Sequence, residues 1–193
     1  MKVPTYIINI GHRVDRHAHV VEEVKKFPIL DWKVVEAVVD KTKTCFQSHL
    51  KCIRLAKENN FPYVLILEDD VVFTVDCLDI FYQSFIEVNT LDWDMFYLGA
   101  NLQAPTHRIS SNIVKLTRAF TTHAYMVHSR FYDTILNLKL NVEIDVCYTS
   151  LMENNNVYMC APMIAYQLPS HSDLQNGFRD YNSALHENFL KYI

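Results

Sequence analysis

The chain has 193 residues, half of them hydrophobic and 12% aromatic, with a formal net charge of −4. That length predicts a single domain, residues 1–193, with a substantial core, and the composition excludes a disordered chain. An acidic balance argues against nucleic acid as a partner, since binding a phosphate backbone calls for a basic face. No stretch approaches the ~20 apolar residues of a transmembrane helix, and the N-terminus turns polar too soon for a signal peptide, so a cytoplasmic location is expected. Five cysteines (Cys45, Cys52, Cys77, Cys147, Cys160) show no paired Cys-x-x-Cys spacing. Their spacing indicates neither a zinc site nor a disulfide framework, and a reducing compartment is the default.

In chain order, residues 3–10 read as a strand and 13–26 as a helix with Val14, Val20, Val21 and Val24 among its apolar positions. Residues 31–36 read as a second strand, followed by a polar loop around Asp40. A helix over 45–58 carries Cys45, His49, Cys52, Ile53 and Ala56 on one face. The run Tyr63-Val64-Leu65-Ile66-Leu67 is continuously apolar, as a strand buried on both faces of a parallel sheet should be. Residues 77–88 read as helix, 94–98 as a strand ending at Gly99, and 100–112 as a loop. Strands follow at 113–118 and 122–128, helices at 130–138 and 145–153, and a strand-like stretch at 156–166 around Pro162. This alternation predicts an α/β sandwich with a mostly parallel central sheet whose first half is a nucleotide-binding unit. Three glycines in the whole chain exclude a Walker or dinucleotide-type phosphate cradle, because each needs several in one loop.

The most informative segment is Glu68-Asp69-Asp70, directly after the apolar strand. Adjacent like charges repel unless a cation sits among them. The carboxyl end of a parallel strand is also where open α/β folds bind ligands. A hard divalent cation, Mn²⁺ or Mg²⁺, carrying a phosphorylated ligand fits such a triple. On an extended chain, alternate side chains point the same way, so Glu68 and Asp70 are expected to face one site, with Asp69 either a further contact to the bound ligand or a brace for the turn. Asp70 is the first candidate metal ligand, and Glu68 a ligand, a ribose contact or the partner of a metal-bound water. Asn9, Arg13 and Arg16 follow the first strand at the same sheet edge, where an arginine fork could pair with phosphate. Asp40, after the second strand, is placed for ribose or base, or is an ordinary turn aspartate.

Several separated motifs resemble glycosyltransferase family 25, the lipopolysaccharide and collagen-galactosyltransferase-like enzymes. Ile8-Asn9-Ile10-Gly11-His12-Arg13-Val14-Asp15-Arg16 is similar to that family's first strand and turn, and Cys45-Phe46-Gln47-Ser48-His49 to its "C-x-x-SH" helix start. Ile66-Leu67-Glu68-Asp69-Asp70-Val71-Val72-Phe73 resembles its metal-site strand, and Ala124-Tyr125-Met126-Val127 a later strand. Ile144-Asp145, Pro162, Gln167 and Ser172-Asp173 resemble its closing third. Where the family has Gly-Glu before its cysteine, this chain has Lys43-Thr44.

The resemblance implies a GT-A (Rossmann-like) fold and a Mn²⁺- or Mg²⁺-dependent transfer of a hexose. The donor would be a nucleotide diphosphate sugar, a UDP-sugar being favoured. The acceptor hydroxyl would belong to a glycan, lipopolysaccharide or protein, and the transfer would invert configuration. It makes Asp145 the catalytic base, with Glu143 next in line, against the alternative of a helix cap. It makes His171 or Asp173 the further metal ligand, and Ser48 a donor contact or a cap in competition with Thr44. His49, on an apolar face, reads as a core histidine. A nucleotidyltransferase or other phosphoryl-transfer enzyme, or a non-catalytic nucleotide-sugar-binding module, are the competing readings.

Overall fold

The computed structural model describes residues 2–39, 44–138, 143–172 and 177–193. The first half alternates as β1 (Val3–Asn9), α1 (Val14–Lys25), β2 (Leu30–Glu36), α2 (Thr44–Glu58), β3 (Tyr63–Glu68), β4 (Val71–Phe73), α3 (Cys77–Val88) and β5 (Met95–Tyr97). Short strands follow: β6 (Asn101–Leu102), β7 (His107–Arg108), β8 (Ile113–Lys115), β9 (Ala119–Phe120) and β10 (Ala124–His128). Then come α4 (Tyr132–Leu136), α5 (Ile144–Met152), β11 (Val157–Cys160), β12 (Ala165–Gln167), β13 (Ser170–Ser172), β14 (Gly177–Arg179) and α6 (Asn182–Tyr192).

The main sheet has eight strands in the order β2-β1-β3-β10-β5-β11-β8-β7. β2, β1 and β3 pair in parallel, as do β5 and β11, while β10 runs against both its neighbours and β8 against β11 and β7. Six of the eight strands therefore share one direction. The mostly parallel sandwich expected from the alternation is present.

Strand parity builds two cores. Along β3, Val64 and Ile66 join Tyr6, Tyr97 and Tyr125 on the face covered by α2, α4, α5 and α6. Leu65 and Leu67 point the other way, joining Ile7, Phe96 and Met126 under α1 and α3. All four β3 side chains are fully buried, which is why the run is apolar without alternation. On the second face, Phe27 meets Phe73 and Phe81 edge-on at centroid distances of 5.3 and 5.0 Å, a favoured aromatic geometry that fixes α1 and α3 over β4.

Short connections made the later strands hard to delimit. The expected loop 100–112 carries the two-residue strands β6 and β7. The stretch 156–166 is two strands, because Pro162 has no N–H to continue a ladder. After that break the chain leaves the main sheet, and β12 pairs antiparallel with β4, Gln167 opposite Val71. The tail, for which the sequence suggested no element, forms the β13–β14 hairpin and α6.

One glycine governs this crossing. Ile164 N and Ala165 N both donate to the Leu98 carbonyl, at 2.9 and 3.2 Å, drawing β12 across the end of β5 at Gly99. A Cβ on Gly99 would collide with the Ala165 carbonyl oxygen, so only glycine allows the approach. Gly99→Ala should therefore destabilise the protein by about 1–3 kcal/mol through overpacking. At ~2–4 °C per kcal/mol for a chain of this size, the melting temperature should fall by several degrees. Calorimetric melting checks this, and an unchanged midpoint contradicts it.

Candidate active site

β1 and β3 pair in register, Ile8 opposite Glu68, so Asn9 and the acidic segment emerge together at one sheet edge. β3 ends at Glu68, Asp69 and Asp70 form a turn, and β4 resumes at Val71. Parity carries on to the last strand residue: Glu68 falls on the α2 face and Asp69 on the α1 face. Each finds a different partner there. The Thr122 hydroxyl donates to Glu68 Oε1 at 2.7 Å, and His49 Nε2 of α2 lies 3.4 Å from the same oxygen. On the other face, Asn9 Nδ2 donates to Asp69 Oδ2 at 2.7 Å, and Arg16 Nη1 of α1 to Asp69 Oδ1 at 3.1 Å. The brace expected of Asp69 is made with these two residues.

Arg16 places a guanidinium beside the acidic triple. Its Nη1 also lies 3.5 Å from Asp70 Oδ2, and its Nη2 donates to the Ser170 hydroxyl at 2.5 Å and the His171 carbonyl at 3.0 Å. Arg16 Nε and Asp70 Oδ1 are both buried with no hydrogen-bond partner among the described residues. Arg13 forks onto Asp15 at 3.0 and 2.9 Å and reaches the His171 carbonyl at 3.3 Å. The turn is also tied from behind, by Leu168 N donating to the Asp70 carbonyl at 2.6 Å.

The charges respond to this setting. Burial, reinforced by the Glu68 and Asp69 charges, pushes the Asp70 carboxyl up to about 7, against the pull of Arg16 and Gln167. Burial also raises Asp69, less so because Asn9 and Arg16 hold it. Burial would raise Glu68 too, but His49 and the Thr122 hydroxyl outweigh it and keep the carboxyl well below the usual range.

The remaining candidates stand as follows. Ser48 is buried in α2, and its hydroxyl accepts from Val38 N at 2.9 Å, pinning the chain after β2. Asp145 sits in the first turn of α5, partly exposed, with Oδ1 accepting from Val146 N at 2.8 Å; the cap position belongs to Glu143. Burial, with the Glu68, Glu143, Asp145 and Asp70 charges, pushes the Cys45 thiol well up, so these four carboxylates all act at Cys45. His171 is exposed with its ring edge-on to Phe178 at 6.0 Å, and it meets the arginines through its backbone carbonyl. Asp40 and Asp173 lie outside the described residues.

Some residues escaped the sequence reading. Thr122 reaches the site from a segment with no local signal, and Tyr125 and Ser170 from segments whose likeness to the family gave these two residues no role. His49 is in the core, as expected of its apolar face, yet it also touches Glu68.

An acid whose pKa is raised by folding stabilises the native state at low pH and costs stability as pH rises through the folded value. Asp70→Asn removes that cost. In chelator, the variant should gain melting temperature over the wild type at about pH 8, and the gain should shrink at about pH 5, where the wild-type carboxyl is already protonated. An equal effect at both pH values contradicts the charge assignment.

Residues 32–150 match the family described as glycosyltransferase family 25 (LPS biosynthesis protein). No curated protein sequence matched the chain. Among solved structures, A197 from STIV is 12% identical with a TM-score of 0.57, covering 87% of this chain and 86% of that one. UDP-glucose pyrophosphorylase complexed with UDP-glucose is 7% identical with a TM-score of 0.55, covering 100% and 97%. A mutant of Drosophila β-1,4-galactosyltransferase 7, in complex with manganese, UDP-Gal and xylobiose, is 9% identical with a TM-score of 0.51, covering 93% and 76%. At these identities the likeness is one of fold, the GT-A arrangement.

Proposed function

The chain belongs to glycosyltransferase family 25, and from that premise we propose that it moves a hexose from a UDP-sugar to an acceptor hydroxyl, with a divalent cation and with inversion. The observation that carries this reading is the Asp70 carboxylate, buried at the end of β3 with Oδ1 unpartnered and a guanidinium beside it. An oxygen donor set of Asp70 and Glu68, with His171 or Asp173 as a further ligand, suits Mn²⁺ or Mg²⁺. When bound, such a cation neutralises the charge that builds on a diphosphate leaving group. The complexes of the galactosyltransferase with manganese and UDP-Gal, and of the pyrophosphorylase with UDP-glucose, favour a uridine nucleotide in this fold.

The chain's own residues supply the rest. Arg16, whose Nε is free of hydrogen bonds, and Arg13 present positive charge to the diphosphate. Asp69, itself held by Asn9, keeps Arg16 in place, and Asp40 and Ser48 serve as further donor contacts. Asp145 takes the proton of the acceptor hydroxyl as its oxygen bonds to the anomeric carbon and the bond to the diphosphate breaks on the opposite side. The acceptor is a glycan, lipopolysaccharide or protein. No helix among the described residues is long and apolar enough to cross a membrane, and five free cysteines suit a cytoplasmic setting.

Two variants test the assignments. Asp70→Ala removes one oxygen ligand and leaves the other carboxylates repelling around a weakly held ion, so calorimetry should show UDP binding with Mn²⁺ collapsing while the fold is kept. Wild-type affinity in that variant sinks the metal assignment. Asp145→Asn keeps size and polarity but takes no proton, so transfer should slow at least ~100-fold with donor binding and melting temperature near wild type. Near-normal transfer would move the base to Glu143. UDP released from a UDP-sugar without any nucleoside triphosphate separates transfer from nucleotidyl chemistry, and donor binding without turnover would mark a binding module.

A further inference from the structure

Cys45 and His49 stand one helical turn apart on α2, so their side chains share a face, and strand parity aims Glu68 at that same face. One ligand atom from each of the three lies within 4.8 Å of the other two, and among the described residues no other trio of such ligands does so. The sequence puts Cys45 and His49 on one helix face; the third member, from the end of β3, is brought to them only by the fold.

The histidine points to a ligand independently. His49 is fully buried, and its Nδ1 shares a 2.8 Å hydrogen bond with the Tyr125 hydroxyl, itself 3.2 Å from the Tyr148 hydroxyl. That leaves Nε2 as the ring atom facing Glu68 Oε1, 3.4 Å away, with no hydrogen-bond partner of good geometry among the described residues. A metal-binding histidine is held in this way, its second nitrogen fixed by an outer hydrogen bond that sets the tautomer and the ring plane. Glu68 is held likewise by the Thr122 hydroxyl.

The donor set decides which ion fits. Mn²⁺ and Mg²⁺ prefer oxygens throughout, whereas a thiolate, an imidazole and one carboxylate suit Zn²⁺. The thiolate and the carboxylate together cancel the charge of a divalent ion, which lowers the cost of burying it. The neighbouring Asp70, Glu143 and Asp145 carboxylates, which act on the Cys45 thiol, favour a cation at that point further.

We propose that Cys45, His49 and Glu68 form a Zn²⁺ site with three protein ligands and one open position, adjoining the oxygen-ligated site at Asp70. Tyr125 is its outer-shell support. Sharing Glu68 between the two sites rests on the functional reading above, whereas the zinc site itself does not.

The test uses the full chain, reduced and stripped of metal, titrated with Co²⁺ in place of Zn²⁺. Wild type should develop the ultraviolet thiolate-to-cobalt band, saturating at one equivalent and abolished by Zn²⁺. Cys45→Ser should lose the band, while Cys77→Ser, which removes a thiol under α3, should keep it. Calorimetry should show His49→Gln weakening Zn²⁺ by at least ~10-fold, since loss of even an outer-shell partner costs ~10–100-fold. Should either variant misfold, Zn²⁺ protection of Cys45 from alkylation in wild type, read by peptide mass spectrometry, answers the same question. No band in wild type, a band surviving in Cys45→Ser, or no protection overturns the site. Failure of UDP and Mn²⁺ to bind at Asp70 with the cobalt band intact would overturn the transferase reading alone.

Discussion

Three carboxylates leave β3 in consecutive positions, and in a buried setting their repulsion has to be answered by whatever surrounds them. The answer here is a division across the sheet. Glu68 goes to the α2 face, to His49 and Thr122, while Asp69 and Asp70 share one guanidinium from the start of α1. Arg16 does more than balance charge. By binding Asp69, Asp70, Ser170 and the His171 carbonyl, it joins β3, α1 and the C-terminal hairpin at a single point. A buried ion pair contributes little net stability against its desolvation, but removing one partner leaves an uncompensated charge. The placement of α1 and of the hairpin is thus bound to the acidic turn.

The rest of the architecture keeps that turn in place. Fully buried β3 side chains on both faces fix the strand's register, and register fixes which carboxylate goes to which face. Behind the turn, the close approach at Gly99 brings β12 alongside β4, which sets Leu168 on the Asp70 carbonyl and Gln167 near its carboxylate. Asp70 is left with one buried oxygen that has no hydrogen-bond partner among the described residues. Buried polar atoms are rarely orphaned, so this one points to chemistry rather than to packing.

The legible parts of the fold were those with strong periodicity or unbroken apolar runs. α2 and α3 came out within a residue of the observed bounds, and β3 was plain from its composition. The short strands after β5 and the C-terminal hairpin were not legible, because two- and three-residue strands leave no period to detect. The acidic triple was visible, but the guanidinium that pairs with two of its carboxylates was not. Arg16 meets Asp69 across 53 residues of sequence, an approach set by how α1 packs on the sheet. His49 illustrates the same limit: helical spacing placed it correctly on an apolar face, while only the end of β3 turns that position into part of the site.

The central claim is that the turn at Asp70 binds a divalent cation together with the diphosphate of a nucleotide. The most direct measurement is anomalous diffraction from crystals grown with Mn²⁺ and UDP. The account predicts a manganese peak bonded to an Asp70 carboxylate oxygen, with the UDP diphosphate beside Arg16. A manganese peak elsewhere, or UDP bound away from the acidic turn, would contradict it.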